Sequence, residues 1–339
     1  MPLSLARLGF SLALLVLLSF FIVIFMNPDV IRSIPEFESA GVLTFKTMFV
    51  SIVLEAFPFI LLGVIVSSLI QVFVPDRYVQ KLIPRNPLLG VTVACLLGVV
   101  FPICECGMIP VARRLVKKGL PLYAAVVFLL AGPILNPVVF AATALAFRSR
   151  PEIIYSRMGL AFVVAAAVGL LVYSFVRQNP LKPESARAPA HHSHEHEHGH
   201  GHGGGNKLFS AFEHASSEFF EMGKYLAFGA LLTAGIQTFL DRGSLAAVAE
   251  SEWTSHWFMM GFAYILSICS TSDAFVASSF GSMFPAASLV SFLVFGPMLD
   301  LKSTFMMLSV FRAKFVALVS AAVVAFVTAG VFLLDRLYL

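Results

Sequence analysis

The sequence PICECGMIP at residues 102–110 places two thiols, Cys104 and Cys106, on either side of the carboxylate of Glu105. Thiolates bind soft, polarisable metals and metalloids, so this C-x-C pair could hold a thiophilic solute. Two prolines and a glycine surround the pair, and they predict that a helix running through this segment is interrupted. A free cysteine is often only a small apolar packing residue, but a break at membrane depth favours a binding role.

A second polar segment, SICSTSD at residues 267–273, has the composition of a partner for the first. It combines a third thiol, Cys269, with hydroxyl groups and the carboxylate of Asp273. A metal or metalloid held between the two segments would have three sulfur atoms available to it. The candidate solute-binding residues of the two segments are Cys104, Glu105, Cys106, Cys269, Ser270, Thr271 and Asp273.

Two further motifs share the pattern G-P-x-L-[N/D] within apolar runs, at residues 132–136 and 296–300. They add Asn136 and Asp300 to the solute-binding candidates. Inserting a charged side chain at the centre of a bilayer costs about 2.5–3.5 kcal/mol on insertion scales. A charged residue retained there is therefore a candidate for a functional role. Asp300 has an alternative role, which is to pair with Lys302 or Asn136 in packing. The membrane residues that are candidates for ion coupling are Glu55, Glu221 and Lys302.

The hydrophobic pattern predicts that all these motifs lie in a membrane. Of the 339 residues, 58% are hydrophobic and 12% are charged, whereas soluble domains carry about 25% charged residues. Apolar runs long enough to cross about 30 Å of hydrocarbon recur, the first at residues 8–26. The net charge of +4 is concentrated in connections between these runs and does not indicate a nucleic-acid partner. We therefore predict an all-α, multi-pass protein of the plasma membrane.

The recurrence of these motifs indicates that the sequence contains an internal duplication. Offsets of 164 to 166 residues bring the cysteine segments, the G-P-x-L motifs and the runs around Glu55 and Glu221 into register. Each repeat is expected to contain about four segments, two of them broken or re-entrant. The predicted organisation is an N-terminal transmembrane helix with an extracytoplasmic loop in 1–45, a first repeat in 46–176, a flexible linker rich in His, Gly and Pro in 177–210, and a second repeat in 211–339.

Basic residues are distributed differently around the two cysteine segments. The connections that flank the first segment contain seven Lys and Arg residues, and the equivalent connections of the second contain one. Cytoplasmic loops are enriched in Lys and Arg, so equivalent loops are predicted to face opposite sides and the repeats to be inverted. The stretch 148–157, with three arginines on the predicted outer side, is an exception. The linker is predicted to be cytoplasmic.

The linker contains a tract in which histidines alternate with glutamates and glycines. Neutral imidazole binds zinc, nickel or copper, so the tract could hold a loosely bound divalent metal as a buffer or sensor. A solvated linker is the alternative, because a flexible tract cannot impose coordination geometry. The candidate metal ligands are His191, His192, His194, His196, His198, His200 and His202. No other cofactor is predicted.

The segments PICECGMIP, GPILNP at 132–137 and CSTSD at 269–273 together resemble the predicted-permease family that includes the ArsP-type organoarsenical permeases and the YraQ-like permeases. The resemblance covers roughly residues 45–335. It implies a plasma-membrane permease and, for the arsenical-exporting members, efflux of trivalent methylated arsenicals through sites that contain cysteine. For members with His-rich loops it implies a link to zinc or another divalent metal.

The leading interpretation is a secondary transporter, not an enzyme, for a small thiophilic metal or metalloid species such as a trivalent arsenical. The sequence has no G-x-x-x-x-G-K-[ST] loop for nucleotide, so proton or ion coupling through Glu105, Asp273 or Asp300 is the hypothesis for its energy source. The alternatives are a zinc-type divalent metal permease, a metal sensor based on the His tract, and a thiol–disulfide oxidoreductase using Cys104 and Cys106. A homo-oligomer and a membrane partner both remain open.

Overall fold

The computed structural model describes most of the two halves of the chain. The described residues are 40–82, 84, 86–100, 104–176, 180–182, 204–239 and 252–337. The chain divides into two compact units, residues 1–48 and 49–339, and of the first unit only 40–48 are described. The predicted N-terminal helix and the histidine tract at 191–202 therefore lie outside the described residues.

The described residues form α-helices and no β-strand, as the hydrophobic pattern predicts. The helices are α1 Ala40–Phe73, α2 Asp76–Leu82, α3 Pro87–Val100, α4 Glu105–Lys117, α5 Leu122–Ala131, α6 Pro137–Ala146, α7 Pro151–Phe175, α8 Gly204–Phe239, α9 Glu252–Leu266, α10 Ser272–Ser279, α11 Ala286–Met298, α12 Leu301–Val310 and α13 Ala313–Leu337.

Four helical stretches in the described part of the chain are long and apolar enough to cross a membrane. Large apolar side chains such as Phe57 and Leu62 lie on their outer surface, 49% and 47% exposed, where a soluble protein would present polar groups. The stretch that contains α11 and α12 is different, because 83% of its apolar 18-residue window is buried inside the protein. The chain is therefore a multi-pass membrane protein. The four stretches are Leu43–Gln71, Pro151–Phe175, Ala286–Val310 and Ala313–Arg336.

Four short helices, α4, α6, α10 and α12, each begin after an interruption that the sequence predicts. The backbone is extended at Cys104, Asn136 and Asp300, and in each case a new helix starts at the next residue. Proline at position 137 suits the first turn of α6, where its missing N–H has no helical partner. Local chemistry of caps and prolines therefore accounts for where these helices start.

The interruption predicted at Gly296 and Pro297 lies slightly further along the chain. Helix α11 continues through Pro297 to Met298, and the N–H of Leu299 still donates to the carbonyl of Phe295 at 2.9 Å. Proline is tolerated here because only one backbone bond is lost within the last turn. The break therefore consists of the two residues that precede α12.

Glycines allow the backbones of neighbouring segments to approach each other closely at two places. A Cβ atom at Gly63 of α1 would lie 2.3 Å from the carbonyl oxygen of Gly107 in α4. A Cβ atom at Gly98 of α3 would lie 2.7 Å from the Cα atom of Gly132, between α5 and α6. These contacts leave no room for a side chain, so they hold α4 and the break before α6 close to their neighbours.

Short helices from the two halves of the chain pack against each other. Helix α4 contacts α12, and α6 contacts α10. The longer helices α7 and α13 also contact each other, and α11 contacts α5 and α7. The beginnings of the short helices are thus placed within the bundle, away from its apolar outer surface.

Two features differ from the sequence interpretation. Arg157, counted with two other arginines in an outer loop, lies in α7 and is 0% exposed, so that count was wrong for this residue. The described parts of the predicted flexible linker are regular or bonded to the second half of the chain. Lys182 donates a backbone bond to Val310 at 2.9 Å, Arg312 donates one to Pro180 at 2.9 Å, and the chain is helical from Gly204.

Candidate functional site

Lys302 lies at the centre of a buried cluster of charges. Its Nζ atom is 3.7 Å from Oε1 of Glu105 and 3.8 Å from Oδ2 of Asp300. The same ammonium donates a hydrogen bond to the carbonyl oxygen of Ser267 at 3.2 Å. The three charged residues are at most 5% exposed. One lysine therefore joins the start of α4, the start of α12 and the break before α10.

The two carboxylates of this ion-pair group are placed by helix starts. Glu105 is the first residue of α4, and Asp300 caps α12 through a capping box with Ser303. A helix N-terminus stabilises a negative charge by about 0.3–1 kcal/mol, and by about 2 kcal/mol in favourable buried sites. Removing an ion from water costs several kcal/mol even after relaxation. The helix ends alone cannot offset that cost, so Lys302 is required as a counter-charge.

A second buried cation, Arg157, also binds the break before α10. Its Nη1 atom donates to Oγ1 of Thr143 at 2.8 Å, and its Nη2 atom donates to the carbonyl oxygen of Ser270 at 2.9 Å. The backbone of this break is unusual, because Ser267 has a φ of 49°, a conformation that non-glycine residues seldom adopt. Arg157 and Lys302 thus each bind one carbonyl of the segment between α9 and α10.

Asp273, the second residue of α10, faces both groups. It is 2% exposed and lies within electrostatic range of Arg157, Glu105, Asp300 and Lys302. No ion pair within 4.0 Å in the described part of the chain includes Asp273. We call Glu105, Arg157, Asp273, Asp300 and Lys302 the central cluster.

Several oxygen atoms of the central cluster have no hydrogen-bond donor. Both carboxylate oxygens of Glu105, Oδ2 of Asp273 and Oδ2 of Asp300 are buried and accept no hydrogen bond, although Oε1 of Glu105 and Oδ2 of Asp300 are ion-paired with Lys302. Buried polar groups are satisfied in the great majority of cases, so each exception calls for an explanation. A solute or a proton that enters the cluster would supply the missing donors.

The predicted thiols do not form one site. The thiol of Cys106 interacts with that of Cys104 beside Glu105. Cys269 instead bonds to hydroxyls, with Oγ1 of Thr271 at 3.0 Å, and its thiol lies within reach of the half-buried Glu55. In the ranges that the structure describes, no three His, Cys, Asp or Glu side chains are grouped so that they could hold a metal ion. The expected set of three sulfur ligands is therefore not preformed.

Asn136 has a local structural role. Its Oδ1 atom accepts a hydrogen bond from the N–H of Val139 at 2.9 Å and so caps α6. Its Nδ2 atom donates to the carbonyl oxygens of Gly132 and Pro133, both at 3.3 Å. The amide is satisfied within its own break, and the structure does not join it to the central cluster.

Glu221 belongs to a different group of charges at the other end of α4. Its carboxylate is 3.3 Å from Arg113, while Glu218 is 3.3 Å from Arg114 and accepts a hydrogen bond from Ser67 at 3.1 Å. Arg113 lies eight residues after Glu105, about 12 Å along the helix axis. Glu221 is thus separate from the two coupling candidates Glu55 and Lys302, which lie at or beside the central cluster.

Comparison with known proteins gives the family of the chain. The profile of the predicted permeases matches residues 42–335, which include every motif described above. The chain belongs to this ArsP-type predicted-permease family. The permease is 44% identical to the UPF0718 protein YcgR of Bacillus subtilis (strain 168) over 289 residues, 85% of this chain and 96% of the relative.

A second relative of the permease comes from Streptococcus mutans serotype c (strain ATCC 700610 / UA159). It is named as a subunit of a two-component membrane permease complex and is 37% identical over 277 residues, 82% of this chain and 90% of the relative. No solved structure matches the chain. The predictions of a permease and of a multi-pass membrane protein are confirmed, and the family favours transport over catalysis.

Sequence reasoning missed one member of the permease's central cluster, Arg157. The signal was present, because this arginine lies within the apolar run of α7, where Glu152 at the beginning is the only other charged residue. An arginine inside a spanning segment is expected to face a partner within the bundle. Because Arg157 was assigned to a loop, no buried partner was predicted for it.

Proposed function

We propose that this permease is a secondary transporter and that its small solute passes through the central cluster. The observation that carries the proposal is the position of five buried charged side chains inside a membrane-spanning bundle, four of them at the starts of short helices and the fifth, Arg157, within α7. Secondary transporters form their binding sites in this way, with helix ends and unwound backbone at the level of the bilayer centre. The carboxylate oxygens that accept no hydrogen bond are available to contact a passing solute.

The site is formed by two inverted repeats in this proposal. Helices α3 to α6 are two interrupted helices in succession, and helices α9 to α12 follow the same order. The equivalent pairs α4 with α12 and α10 with α6 make reciprocal contacts between the halves. Burial of Arg157 removes one of the three arginines that opposed the inverted topology. Rocking of one repeat against the other would expose the cluster to either side alternately.

The proposed substrate is a thiophilic metalloid species such as a trivalent arsenical. Cys104 and Cys106 support this choice because their thiols interact with each other at the edge of the central cluster, and Cys104 is only partly buried. A soft electrophile binds sulfur in preference to the carboxylates nearby. A zinc-type permease is the alternative substrate class, and it would need ligands that the described residues do not bring together in threes.

Transport assays with matched cysteine variants test the substrate. The full chain is reconstituted in proteoliposomes, and the accumulation of methylarsenite and of zinc is measured by mass spectrometry. Wild type is expected to accumulate methylarsenite above protein-free liposomes. Cys104→Ser/Cys106→Ser is expected to lose at least about tenfold of this activity, whereas Cys95→Ser in α3 retains it, since Cys95 is a buried packing residue.

Each other outcome has a defined meaning. Accumulation of zinc without methylarsenite would replace the metalloid proposal with the divalent-metal alternative. Equal activity in the double variant and wild type would remove the thiols from the site. A mixed disulfide trapped on Cys104 or Cys106 from native membranes would favour the oxidoreductase. No accumulation of either probe would refute a thiophilic substrate.

We also propose that the permease has a membrane partner. The proposal is supported by the streptococcal relative, which is named as one subunit of a two-component complex. Cross-linking of native membranes followed by purification of the tagged chain should recover one second membrane protein in fixed ratio. Recovery of the chain alone, as a monomer or homo-oligomer, would contradict this proposal.

A further inference from the structure

The membrane acids of this permease differ in their access to a counter-charge. Glu221 pairs with Arg113, while Glu105 and Asp300 share Lys302. Glu55 is only half-buried. Asp273 differs from these acids: it is 2% exposed, and no cation nitrogen in the described residues lies within 4.0 Å of its carboxylate.

The surroundings of the Asp273 carboxylate are tightly packed. A Cβ atom placed on Gly296 of α11 would lie 3.1 Å from Oδ2 of Asp273. That oxygen has no hydrogen-bond partner. The nearby guanidinium of Arg157 uses both Nη atoms on Thr143 and Ser270, and its Nε atom is also buried without a partner. An unpartnered acceptor and an unpartnered donor therefore lie in the same buried region without bonding to each other.

A buried carboxylate with no paired cation is much more stable as the neutral acid. The start of α10 and the more distant Arg157 favour the ionised form, but their effect is smaller than the cost of removing an unpaired charge from water. In the arrangement described, therefore, a proton on Asp273 is the simplest way to accommodate the residue. Glu105 and Asp300 do not have this need to the same degree because they share Lys302.

We propose that Asp273 is the residue that binds the coupling proton of this permease, an inference that rests on the proposed secondary transport. In the buried arrangement that the structure shows, the side chain is a neutral carboxylic acid. When the cluster opens to water, the proton passes from the carboxyl group to a water molecule, and the carboxylate that remains accepts a hydrogen bond from Nε of Arg157. Rebinding of one proton from water restores the first state, so no electron transfer and no other reactant are needed.

The charged groups that face Asp273 come from several elements. Arg157 on α7, Glu105 on α4, and Asp300 and Lys302 on α12 act on it electrostatically. Helices α6 and α11 pack against α10 in the described part of the chain, and neither contains an ionisable side chain. The two other acids of the cluster disfavour a negative charge on Asp273, while Lys302 is already engaged by them. The balance at this residue therefore depends mainly on Arg157.

Infrared difference spectroscopy tests the proton site without knowledge of the substrate. The full chain in lipid nanodiscs is titrated from neutral to alkaline pH, and the C=O stretch of a buried carboxylic acid is followed in H₂O and D₂O. Wild type should lose one such band as the pH rises. Asp273→Asn should lack the band at all pH values, and Glu105→Gln, Asp300→Asn and the outer control Glu152→Gln should retain it.

A band that persists in Asp273→Asn, or its absence from wild type, would overturn the proposal. If Asp273→Asn does not purify as a folded protein, Asp273→Glu provides the test, because its band must change frequency. An unchanged band in Asp273→Glu would also overturn the proposal.

A transport experiment separates this inference from the proposed function. In proteoliposomes with methylarsenite as the probe, an imposed pH gradient should accelerate transport by wild type and should have no effect on Asp273→Asn. Stimulation that survives in Asp273→Asn would overturn the coupling role while secondary transport stands. A wild type that shows the infrared band but transports neither methylarsenite nor zinc would refute the thiophilic transport proposal and leave the proton-binding residue supported.

Discussion

Replacing Lys302 by methionine should severely destabilise the protein. Lys302 is the cation that lies 3.7 Å from Glu105 and 3.8 Å from Asp300, and all three side chains are at most 6% exposed. Methionine preserves most of the volume of the side chain and removes its charge. The two carboxylates would then face each other without a counter-ion, and the carbonyl of Ser267 would lose its donor.

The expected loss follows from the burial of the pair. Removing one partner of a buried ion pair typically costs about 3–5 kcal/mol, because the other charge remains buried and uncompensated. Two carboxylates share this lysine, so we expect about 4 kcal/mol. Neutralising one of them at the same time should recover part of the loss, about 2 kcal/mol, in the double variant Lys302→Met/Glu105→Gln.

The measurement is the free energy of unfolding in mixed detergent micelles, followed by far-ultraviolet circular dichroism. Lys182→Met is the matched control, because Lys182 is exposed and its ammonium donates to the carbonyl oxygen of Leu308. The control should lose less than about 1 kcal/mol. If Lys302→Met also loses less than about 1 kcal/mol, or if the double variant is as unstable as the sum of the single variants, the central cluster does not have the electrostatic structure described here.

Three further predictions concern the parts that position the central cluster. Gly63→Ala should lower the free energy of unfolding by about 1–3 kcal/mol, because its Cβ atom would meet the Gly107 carbonyl oxygen at 2.3 Å. The control Gly223→Ala in α8, whose Cβ atom would have nothing within 4 Å, should raise the free energy of unfolding by about 0.5–1 kcal/mol. Equal effects of the two variants in thermal unfolding assays would contradict the close contact of α1 and α4. Arg113→Glu and Glu221→Arg should each destabilise, and the double reversal should restore at least half of the loss in the same assay, since the pair is 3.3 Å apart; a double variant no better than either single variant would exclude direct pairing. Arg157→Lys should cost about 2 kcal/mol, because an ammonium cannot replace both guanidinium bonds to Thr143 and Ser270, and unchanged stability would show that the guanidinium fork is not needed.

The positions of the helix interruptions could be predicted from the sequence because their causes are local. A proline lacks its N–H, and Asn136 or Asp300 can cap a helix with its own side chain whatever surrounds it. The same local reasoning misplaced one break by a few residues, because Pro297 is accommodated in the last turn of α11. Caps and prolines indicate that a helix ends, and the neighbouring residues decide in which turn.

The partners of the charged residues could not be predicted in this way. Lys302 pairs with Glu105, almost two hundred residues earlier in the chain, and Arg157 bonds to Ser270, 113 residues later. Such pairs depend on how each helix is rotated about its axis and on which backbones approach closely. For the same reason Cys269, similar in sequence context to the C-x-C pair, bonds to hydroxyls instead of joining the two other thiols.

The sequence by itself determined that this protein is an α-helical membrane permease with interrupted helices, because hydrophobic length, helix-breaking residues and the family motifs are properties of contiguous segments. Only the tertiary structure decided that Arg157 is buried, that Lys302 is shared between two acids, and that Asp273 has no paired cation in the described residues. The physical reason is that the cost of a buried charge depends on the groups within a few ångströms of it, and those groups come from distant parts of the chain.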